Sequence, residues 1–416
     1  MKIGFFTETY LPSLNGVSVT LDFEKRKLES LGHQVYVFAP KSTGDHKDDE
    51  TITRLSSMKL VNSEPAQKLV LPIPNSTLRR TFRVGLDIVH AHGGGFFSFL
   101  GYQLAVAKGY PYVLTYHAYL AKYSHYFFIK NEAVTERAAK NGSKLICNLA
   151  DVVIVPTEKM KKILQGYGVN KKIEVVANPI DLEKFKKVER GFLRSQFSIG
   201  EDKVILLTAS RLGVEKNIEF LLRSYQKVTK KEEKSVFVIA GDGPNKKKLE
   251  DLVKELKIEE RVIFTGFVAT EAMPQVYSDS DVFLFASTSE TQGMVVPEAA
   301  ACGLPVIVVK DEAYVEAVTD SFNGYVVKEQ AKAFAEKILE LINDQPKRLE
   351  FGANSEKLIS ENFDNDVIIE KLVSVYREAI RIRKQEPRVS NRIRARFKSF
   401  AGLFRYVKEL NRKLGF

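Results

Sequence analysis

Two glutamates eight residues apart give the first indication of chemistry in this chain of 416 residues. Glu290 and Glu298 flank a Gly-containing segment that follows an apolar run, residues 282–286, and leads into a helix-compatible run. A turn that leads into a helix exposes unpaired backbone N–H groups, which suit a phosphate or a sugar hydroxyl. Two nearby carboxylates can accept hydrogen bonds from the hydroxyls of a sugar and of a ribose. The segment therefore predicts a site for a sugar that is carried on a nucleotide.

Paired carboxylates also occur in glycoside hydrolases, where the two groups lie about 5 to 9.5 Å apart. Eight residues of helix span about 12 Å, which disfavours a pair of acid and nucleophile, although Glu290 could precede the helix. Without further context, two such glutamates are more often solvated side chains of a loop and a helix. The choice between these readings depends on other residues.

Two cations, two turns and one histidine suit the transfer of a sugar. Arg211 and Lys216 follow the predicted first strand of the second half of the chain, where positive charge can stabilise a leaving diphosphate. Gly16 and Gly243 each lie in a Gly-bearing turn between a strand and a helix, which lets the backbone approach a ligand. His117 follows an apolar strand at its carboxyl end, where active-site groups collect, and can orient a reacting sugar by hydrogen bonding.

A metal ion and a cofactor are not expected. His90 and His92 share one face of a predicted strand, but no third ligand accompanies them. Asp279 and Asp281 imitate an Asp-x-Asp metal motif that is known from another enzyme fold. They directly precede a predicted strand, so we assign them a structural role and predict an enzyme that works without metal.

The elements that must position these residues alternate between strand and helix. Short apolar runs predict two successive sets of buried strands, separated by a polar stretch at residues 181–203. The first set lies at residues 2–7, 35–39, 88–91, 113–116, 152–156 and 173–177. The second set lies at residues 204–208, 236–240, 262–265, 282–285, 306–309 and 325–327. The pattern predicts an α/β fold of two doubly wound parallel-sheet domains, with ligands bound in the cleft between them.

The segment from Glu290 to Glu298 resembles the E-x7-E motif of retaining glycosyltransferases of family 4, which have the GT-B fold. The resemblance covers about residues 1–385 and rests on further motifs in the family's order. They are TETYLPSLNGV at 7–17, TYH at 115–117, SRL at 210–212 with Lys216 beyond it, AGDGP at 240–244, TGFV at 265–268 and NG at 323–324. The resemblance implies facing Rossmann-like domains, residues 1–185 for the acceptor and 186–365 for the nucleotide sugar. Residues 366–385 would form a crossover helix that returns to the first domain.

The same resemblance implies a role for each candidate residue. The expected catalytic residues are Glu290 on the sugar hydroxyls, Arg211 and Lys216 on the diphosphate, and His117. The expected substrate-binding residues are Gly16 near the leaving phosphate, Glu298 on the ribose, Val268 near the base through its backbone, Gly243, Gly293, Met294 and Val295. Retention in this family is attributed to front-face attack, in which the leaving phosphate oxygen takes the proton of the acceptor.

The composition is that of an ordinary globular protein, with 44% hydrophobic and 28% charged residues. The two cysteines, Cys147 and Cys302, are far apart in sequence, which favours a reducing compartment. No uncharged apolar run approaches the roughly 18 residues that span a bilayer. We therefore expect a cytoplasmic protein whose membrane contact is peripheral, on the inner face of the cell membrane.

The net charge of +11 is concentrated at the C-terminus. Residues 388–416 contain nine Lys or Arg and one Glu, a net charge of +8. Their apolar residues recur every three or four positions, which predicts a basic amphipathic helix on an anionic membrane surface. The alternatives are a helix packed on the body, a dimer helix or a nucleic-acid tail. Nucleic acid is not expected as a partner, because no recognised module accompanies the charge.

Two segments of the first domain favour an amphiphilic acceptor. Residues 116–128 contain six aromatic side chains, and residues 78–83 form a basic–apolar cluster. The motif at residues 7–17 also resembles bacterial 1,2-diacylglycerol 3-glucosyltransferases, which implies UDP-glucose as the donor and diacylglycerol as the acceptor. Phosphatidylinositol, a glycolipid or a soluble sugar remain open as acceptors. A sugar-nucleotide epimerase or hydrolase and a non-catalytic binding protein remain open as other classes.

Overall fold

The first sheet contains seven parallel strands in the order β3-β2-β1-β6-β7-β8-β9. The computed structural model describes residues 1–41, 48–59, 68–70, 83–119, 132–185 and 190–385. The strands of this sheet are β1 (Lys2–Thr7), β2 (Gln34–Pro40), β3 (Ile52–Leu55), β6 (Ile88–His92), β7 (Tyr112–Thr115), β8 (Val152–Val155) and β9 (Lys172–Val175). Two further strands, β4 (Ser57–Lys59) and β5 (Lys68–Val70), pair antiparallel beside it. All residues of the three central strands β6, β7 and β8 are buried, as expected for a sheet covered on both faces.

The second sheet contains six parallel strands in the order β12-β11-β10-β13-β14-β15. They are β10 (Val204–Ala209), β11 (Ser235–Ala240), β12 (Val262–Gly266), β13 (Val282–Phe285), β14 (Val306–Val309) and β15 (Gly324–Val327). In both sheets the chain begins at a central strand, builds outward to one side and then crosses to the other. The point where the order reverses, between β1 and β6 and between β10 and β13, is where such sheets bind ligands.

Helices connect the parallel strands in each half of the described chain. Those of the first half are α1 (Gly16–Ser30), α2 (Phe96–Lys108), α3 (Glu132–Cys147), α4 (Glu158–Gly166) and α5 (Leu182–Phe185). Those of the second half are α6 (Phe192–Phe197), α7 (Ile218–Thr229), α8 (Lys246–Glu255), α9 (Met273–Ser278), α10 (Val295–Ala301), α11 (Ala331–Asn343), α12 (Gln345–Asn362) and α13 (Asn365–Gln385). The fold is α/β with two Rossmann-like domains, as the alternating pattern predicts.

All twelve predicted strands are present, and their ends agree with the prediction to within two residues. The β3 strand was not predicted, because its sequence, Ile-Thr-Arg-Leu, is short and half polar. It lies at the outer end of the first sheet, where a strand is covered on fewer sides and needs less apolar surface. The hairpin of β4 and β5 was also missed.

The α13 helix belongs to the end of the chain but packs on the first domain. It contacts α1 and β7, and its buried side chains include Leu372 and Tyr376. Lys27 of α1 pairs with Asp366 at 3.0 Å, and Asp151 accepts hydrogen bonds from the Arg383 guanidinium. This packing agrees with a crossover helix. The exact domain limits expected from the sequence stay a prediction.

Several expectations fall outside the described residues. These are the basic segment 388–416, residues 78–82 of the basic–apolar cluster, and most of the aromatic residues of segment 116–128. Within the described part of the chain, no helix is long and apolar enough to cross a membrane.

Candidate active site

A partly buried ion pair lies beyond the carboxyl ends of β10 and β13. Lys216 ends the short 3-10 turn Val214–Lys216 after β10, and Glu290 lies in the loop after β13. The Nζ atom of Lys216 is 2.5 Å from Oε1 of Glu290, and the two side chains are 16% and 13% exposed. Burial raises the pKa of Glu290, but the charge and hydrogen bond of Lys216 outweigh it, so the pKa lies below its usual value. Glu290 is therefore ionised at neutral pH.

Arg211 lies in the same loop and is oriented by a buried carboxylate. Its Nη2 atom is 3.5 Å from Oε1 of Glu215, whose side chain is only 3% exposed, while Arg211 itself is 32% exposed. Glu215 thus holds one side of the Arg211 guanidinium, and the exposed side remains accessible to a ligand. Arg211 and Lys216 bring two positive charges to one short loop, as a diphosphate would require.

The turn after β11 supports this loop. At Gly241 the backbone has φ +137°, and a Cβ atom there would lie 1.9 Å from the carbonyl oxygen of Ser210. A Cβ atom on Gly243 would lie 2.7 Å from the backbone of Leu212. Both glycines are thus needed for the close contact of two backbone segments, one of which carries Arg211. The contact accounts for Gly243 without a ligand, and its expected role in substrate binding stays a prediction.

The second glutamate, Glu298, lies on a helix, and its pKa is shifted in the direction opposite to that of Glu290. Gly293 has φ +70°, and a Cβ atom on it would lie 2.6 Å from the Tyr314 ring, so this turn requires glycine. Met294 and Val295 then begin α10, which carries Glu298. The Tyr277 hydroxyl donates to Glu298 at 2.9 Å. Burial raises the pKa of Glu298 to about 7, so this carboxyl is only partly ionised at neutral pH.

His117 follows β7 and lies against the loop that carries Glu290. The Thr291 hydroxyl donates to the backbone carbonyl of His117 at 3.2 Å. Nε2 of His117 is 3.2 Å from Nδ1 of His92. Burial lowers the pKa of His117 to about 4, so its imidazole is neutral at pH 7. The structure therefore brings the backbone of His117, from the first domain, against the loop of the second domain that carries Glu290.

Gly16 is the first residue of α1 and is exposed. The side chain of Asn15 accepts hydrogen bonds from the backbone N–H groups of Val17 and Ser18, and Ser18 closes a capping box. A Cβ atom on Gly16 would meet no atom within 4 Å. No close packing within the protein requires glycine here, in contrast to Gly241. The open space beside its backbone suits a ligand.

Val268 lies two residues beyond the end of β12 and packs partly buried against the larger apolar core. Its neighbour Phe267 is 71% exposed.

The carboxylate of Asp279 accepts hydrogen bonds from the backbone N–H groups of Gly191 and Leu193. Asp281 accepts one from the N–H of Ile205 at 2.7 Å. Both aspartates thus have the structural role that was predicted for them. In the described residues, no cluster of three potential metal ligands is present.

Lys159 of α4 joins the two domains beside the candidate site, and the sequence did not reveal it. Its Nζ atom lies 2.6 and 2.7 Å from the two carboxylate oxygens of Asp311 and donates to the carbonyl of Glu290 at 3.1 Å. Thr157, at the start of the same helix, donates to the carbonyl of Thr291 at 2.7 Å. These bonds hold the backbone of the Glu290 loop. A lysine in a helix carries no pattern that would predict such a contact.

Glu8 belongs to the motif at residues 7–17, which by itself predicts no role for this side chain. It follows β1 and accepts a hydrogen bond from the N–H of Phe97, the second residue of α2, at 2.9 Å. Burial raises the pKa of Glu8 to about 7. A Cβ atom on Gly95 would lie 2.4 Å from its carboxylate, so Gly95 makes room for Glu8. Its position at the carboxyl edge of the first sheet makes it a further candidate.

Comparison with known proteins agrees with this architecture. The family model for glycosyltransferase family 4 matches residues 14–184, and the model for glycosyl transferases group 1 matches residues 189–358. Together the fold and these matches define a glycosyltransferase. The chain is 32% identical to the alpha-monoglucosyldiacylglycerol synthase of Streptococcus pneumoniae, over 74% of this chain and 70% of the relative. It is 31% identical to the enzyme of the same name from Acholeplasma laidlawii, over 78% and 84%. The protein belongs to glycosyltransferase family 4.

Solved structures confirm the GT-B fold. The sucrose-phosphate synthase of Thermosynechococcus elongatus superposes with a TM-score of 0.71 at 20% identity, over 91% of this chain and 98% of that chain. The Anabaena protein Alr3699/HepE, solved in complex with UDP-glucose, superposes with a TM-score of 0.68 at 19% identity, over 91% and 100%. At such low identity the likeness concerns the fold alone.

Proposed function

We propose that this glycosyltransferase transfers glucose from UDP-glucose to diacylglycerol, with retention of the anomeric configuration, at a membrane surface. The observation that carries the proposal is the ion pair of Lys216 and Glu290. The pair combines a cation for a diphosphate with an ionised carboxylate for sugar hydroxyls. The loop that carries Glu290 also contacts the backbone of His117, whose imidazole is neutral. The choice of glucose and diacylglycerol is supported by the names of the Streptococcus pneumoniae and Acholeplasma laidlawii relatives, each of which matches more than two thirds of this chain at above 30% identity.

In the proposed complex, Arg211 and Lys216 bind the diphosphate and stabilise the negative charge that develops as it leaves. Glu290 accepts hydrogen bonds from the hydroxyls of the transferring sugar, and Glu298 accepts them from the ribose. The exposed backbone at Gly16 approaches the leaving phosphate, and the backbone of Val268 lies near the base. Gly293, Met294 and Val295 form the turn that binds the donor between the two glutamates.

Retention follows, in this proposal, from attack on the face from which UDP departs. The hydroxyl oxygen of the acceptor forms a bond to the anomeric carbon while the bond from that carbon to the phosphate oxygen breaks. The same phosphate oxygen takes the proton of the acceptor hydroxyl. Glu290 does not serve as a nucleophile, because Lys216 and the sugar hydroxyls occupy its carboxylate. No metal ion and no cofactor take part.

The membrane part of the proposal rests on the sequence of residues 388–416. Their net charge of +8 and their apolar stripe would bind an anionic surface, where the acceptor is dissolved. Cys147 and Cys302 are both free, which supports a cytoplasmic location at the inner face of the membrane. The proposed domains, residues 1–185 and 186–365, are supported by the two family matches, which meet between residues 184 and 189.

The test is the release of UDP from UDP-glucose, with and without vesicles that contain diacylglycerol. We expect release to depend on the lipid and mass spectrometry to find one glucose added to diacylglycerol. Release without any acceptor would indicate a hydrolase, and isomerised sugar nucleotide would indicate an epimerase. A panel of nucleotide sugars, with phosphatidylinositol, a glycolipid and a soluble sugar as acceptors, checks the specificity. Faster transfer to one of these would replace diacylglycerol or glucose in the proposal.

Removal of residues 388–416 tests the membrane surface separately. We expect the truncated protein to lose flotation with anionic vesicles and to keep its affinity for UDP. A matched variant that replaces Phe397, Phe400 and Phe404 by Ser keeps the charge and should also bind vesicles less tightly. Unchanged flotation with a lower melting temperature would show that the segment packs on the body, and would remove the main local support for a lipid acceptor.

A further inference from the structure

Three histidine rings lie in contact at the carboxyl edge of the first sheet. His90 and His92 are two residues apart on β6, so they share one face of the strand, and their ring centroids are 3.9 Å apart. The ring of His92 lies parallel to that of His117 within 19°, at 5.5 Å. Phe5 of β1 packs edge-on against His92 at 4.8 Å. The row of rings ends at His117, which lies against the Glu290 loop.

His90 and His92 differ in how their ring nitrogens are bonded. Nδ1 of His90 lies 2.8 Å from the Tyr376 hydroxyl, and its Nε2 lies 2.6 Å from the Thr115 hydroxyl, so both nitrogens have partners. Nδ1 of His92 lies 3.2 Å from Nε2 of His117. Nε2 of His92 is buried and has no hydrogen-bond partner among the described residues. Within the described part of the chain, the one hydrogen bond of the His92 ring is therefore made to His117.

The direction of that hydrogen bond can be argued from the unpaired nitrogen. Burial lowers the pKa of both His92 and His117, so each neutral ring carries one proton on one of its two nitrogens. If His117 donated, the proton of His92 would have to lie on Nε2, as a buried N–H without an acceptor. Such groups are rare, because a buried donor that finds no acceptor keeps its full desolvation penalty. If His92 donates from Nδ1, its Nε2 is only an unpaired acceptor.

We propose that His92 is a positioning residue that donates from Nδ1 to Nε2 of His117 and thereby sets the tautomer of His117. With Nε2 occupied as an acceptor, His117 carries its proton on Nδ1. The only hydrogen bond that its ring can offer a ligand is then a donated one. The inference rests on the proposed function in one respect, which is that His117 serves the donor sugar. It implies that His117 acts as a neutral donor toward a sugar oxygen and not as a base.

The tautomer can be measured without any assay of transfer. The chain contains six histidines, so full-length protein labelled with 15N-histidine gives a tractable long-range 1H–15N spectrum. Loss of one set of signals in His117→Gln assigns that residue. We expect His117 in the unmodified protein to be protonated at Nδ1 and unprotonated at Nε2. A proton on Nε2 of His117 would overturn the proposal.

Two substitutions of His92 separate the hydrogen bond from the packing of the ring. His92→Phe keeps an aromatic ring but removes the donor, so we expect His117 to become a mixture of both tautomers. His92→Asn places an amide nitrogen on Cγ, at the position of Nδ1, and should restore the original spectrum. His90→Asn is the control for damage to the row, and it should leave the tautomer of His117 unchanged. An unaltered His117 spectrum in His92→Phe would overturn the proposal.

Turnover supplies a second readout. We expect His92→Phe to lower kcat about tenfold, the order expected for loss of one orienting hydrogen bond, with the KM for UDP-glucose within about twofold. His92→Asn should recover most of the rate. If His117→Ala transferred sugar at the normal rate, the role of His117 in the proposed function would fail, while the spectra would still decide whether His92 sets its tautomer. If His92→Phe fails to fold, the spectrum of the unmodified protein and of His92→Asn still decide.

Discussion

The two domains differ in the charge of the side chains that they bring to the candidate site. The second domain presents charges in pairs, Lys216 with Glu290 and Arg211 with Glu215. The first domain presents neutral rings, because burial lowers the pKa of His92 and of His117. A charged diphosphate is matched by the first kind of surface, and hydroxyls are matched by hydrogen bonds from the second. In the proposed function, the charged groups therefore lie on the donor side, and neutral groups orient the reacting sugar from the other side without adding charge.

Removing the charge of Glu290 should give the largest effect on activity. In Glu290→Gln we expect kcat to fall by about 100-fold or more, because in the proposed function the carboxylate serves the sugar more in the transition state than in the ground state. The affinity for UDP, measured by calorimetry, should not weaken, because Lys216 remains. Glu219→Gln is a matched control, since Glu219 is 59% exposed and, among the residues that the structure describes, pairs only with Arg223 on the surface. A kcat within about threefold of the unmodified protein would contradict the role of Glu290.

Gly241 of the second domain and Gly16 of the first domain differ in what lies beside them, and alanine substitutions test this difference. Gly241→Ala places a Cβ atom 1.9 Å from a carbonyl oxygen at a φ of +137°, so we expect the free energy of unfolding to fall by about 3 kcal/mol. Gly16→Ala meets no atom within 4 Å at the start of a helix. It should leave stability unchanged within about 1 kcal/mol and weaken the binding of UDP-glucose. Denaturant unfolding and calorimetry measure both. Unchanged donor affinity in Gly16→Ala would mean that the space beside Gly16 is not used by the donor.

Lys159 of the first domain forms an ion pair with Asp311 of the second domain. Lys159→Met leaves Asp311, which is 9% exposed, without its cation and releases the carbonyl of Glu290. We expect the free energy of unfolding to fall by about 2 kcal/mol and the KM for the donor to rise. Lys162→Met is the matched control on the same helix, because its pair with Glu312 is 67% and 61% exposed and should contribute under about 0.5 kcal/mol. Equal effects of the two variants would show that burial of the pair adds nothing.

Much of this arrangement could be predicted from the sequence, because strands and turns have local signatures. The apolar runs predicted both sheets, and the family motifs pointed to the loops that carry Lys216 and Glu290. Local patterns say nothing about partners that are distant in the chain. The bond from Lys159 to Asp311 joins residues 152 positions apart, and His92 meets His117 across two neighbouring strands. For His90 and His92 the sequence argues only against a metal site, because spacing along one strand does not reveal a row of stacked rings.

Glu290 and Glu298 belong to one motif but differ in the direction of their pKa shifts, so a pH series can distinguish them. Glu290 is ionised beside Lys216, whereas burial raises the pKa of Glu298 from its usual 4.5 to about 7. Between these two values the folded protein holds a proton at Glu298 that the unfolded chain has lost. The contribution of Glu298 to stability is therefore present below pH 4.5, declines as the pH rises through this window, and changes no further above about 7.

Glu298→Gln removes this titration but keeps an acceptor for the Tyr277 hydroxyl. Relative to the unmodified protein, the variant should gain about 1 to 2 kcal/mol of unfolding free energy between pH 4.5 and pH 8. This is less than the full pKa shift would give, because Glu298 is only half-buried. Denaturant unfolding at a series of pH values measures the difference. Burial also raises the pKa of Glu8 and of Glu24, but these titrations occur in both proteins and cancel. Parallel stability profiles would mean that Glu298 is ionised like Glu290, and that both glutamates belong to the charged side of the site.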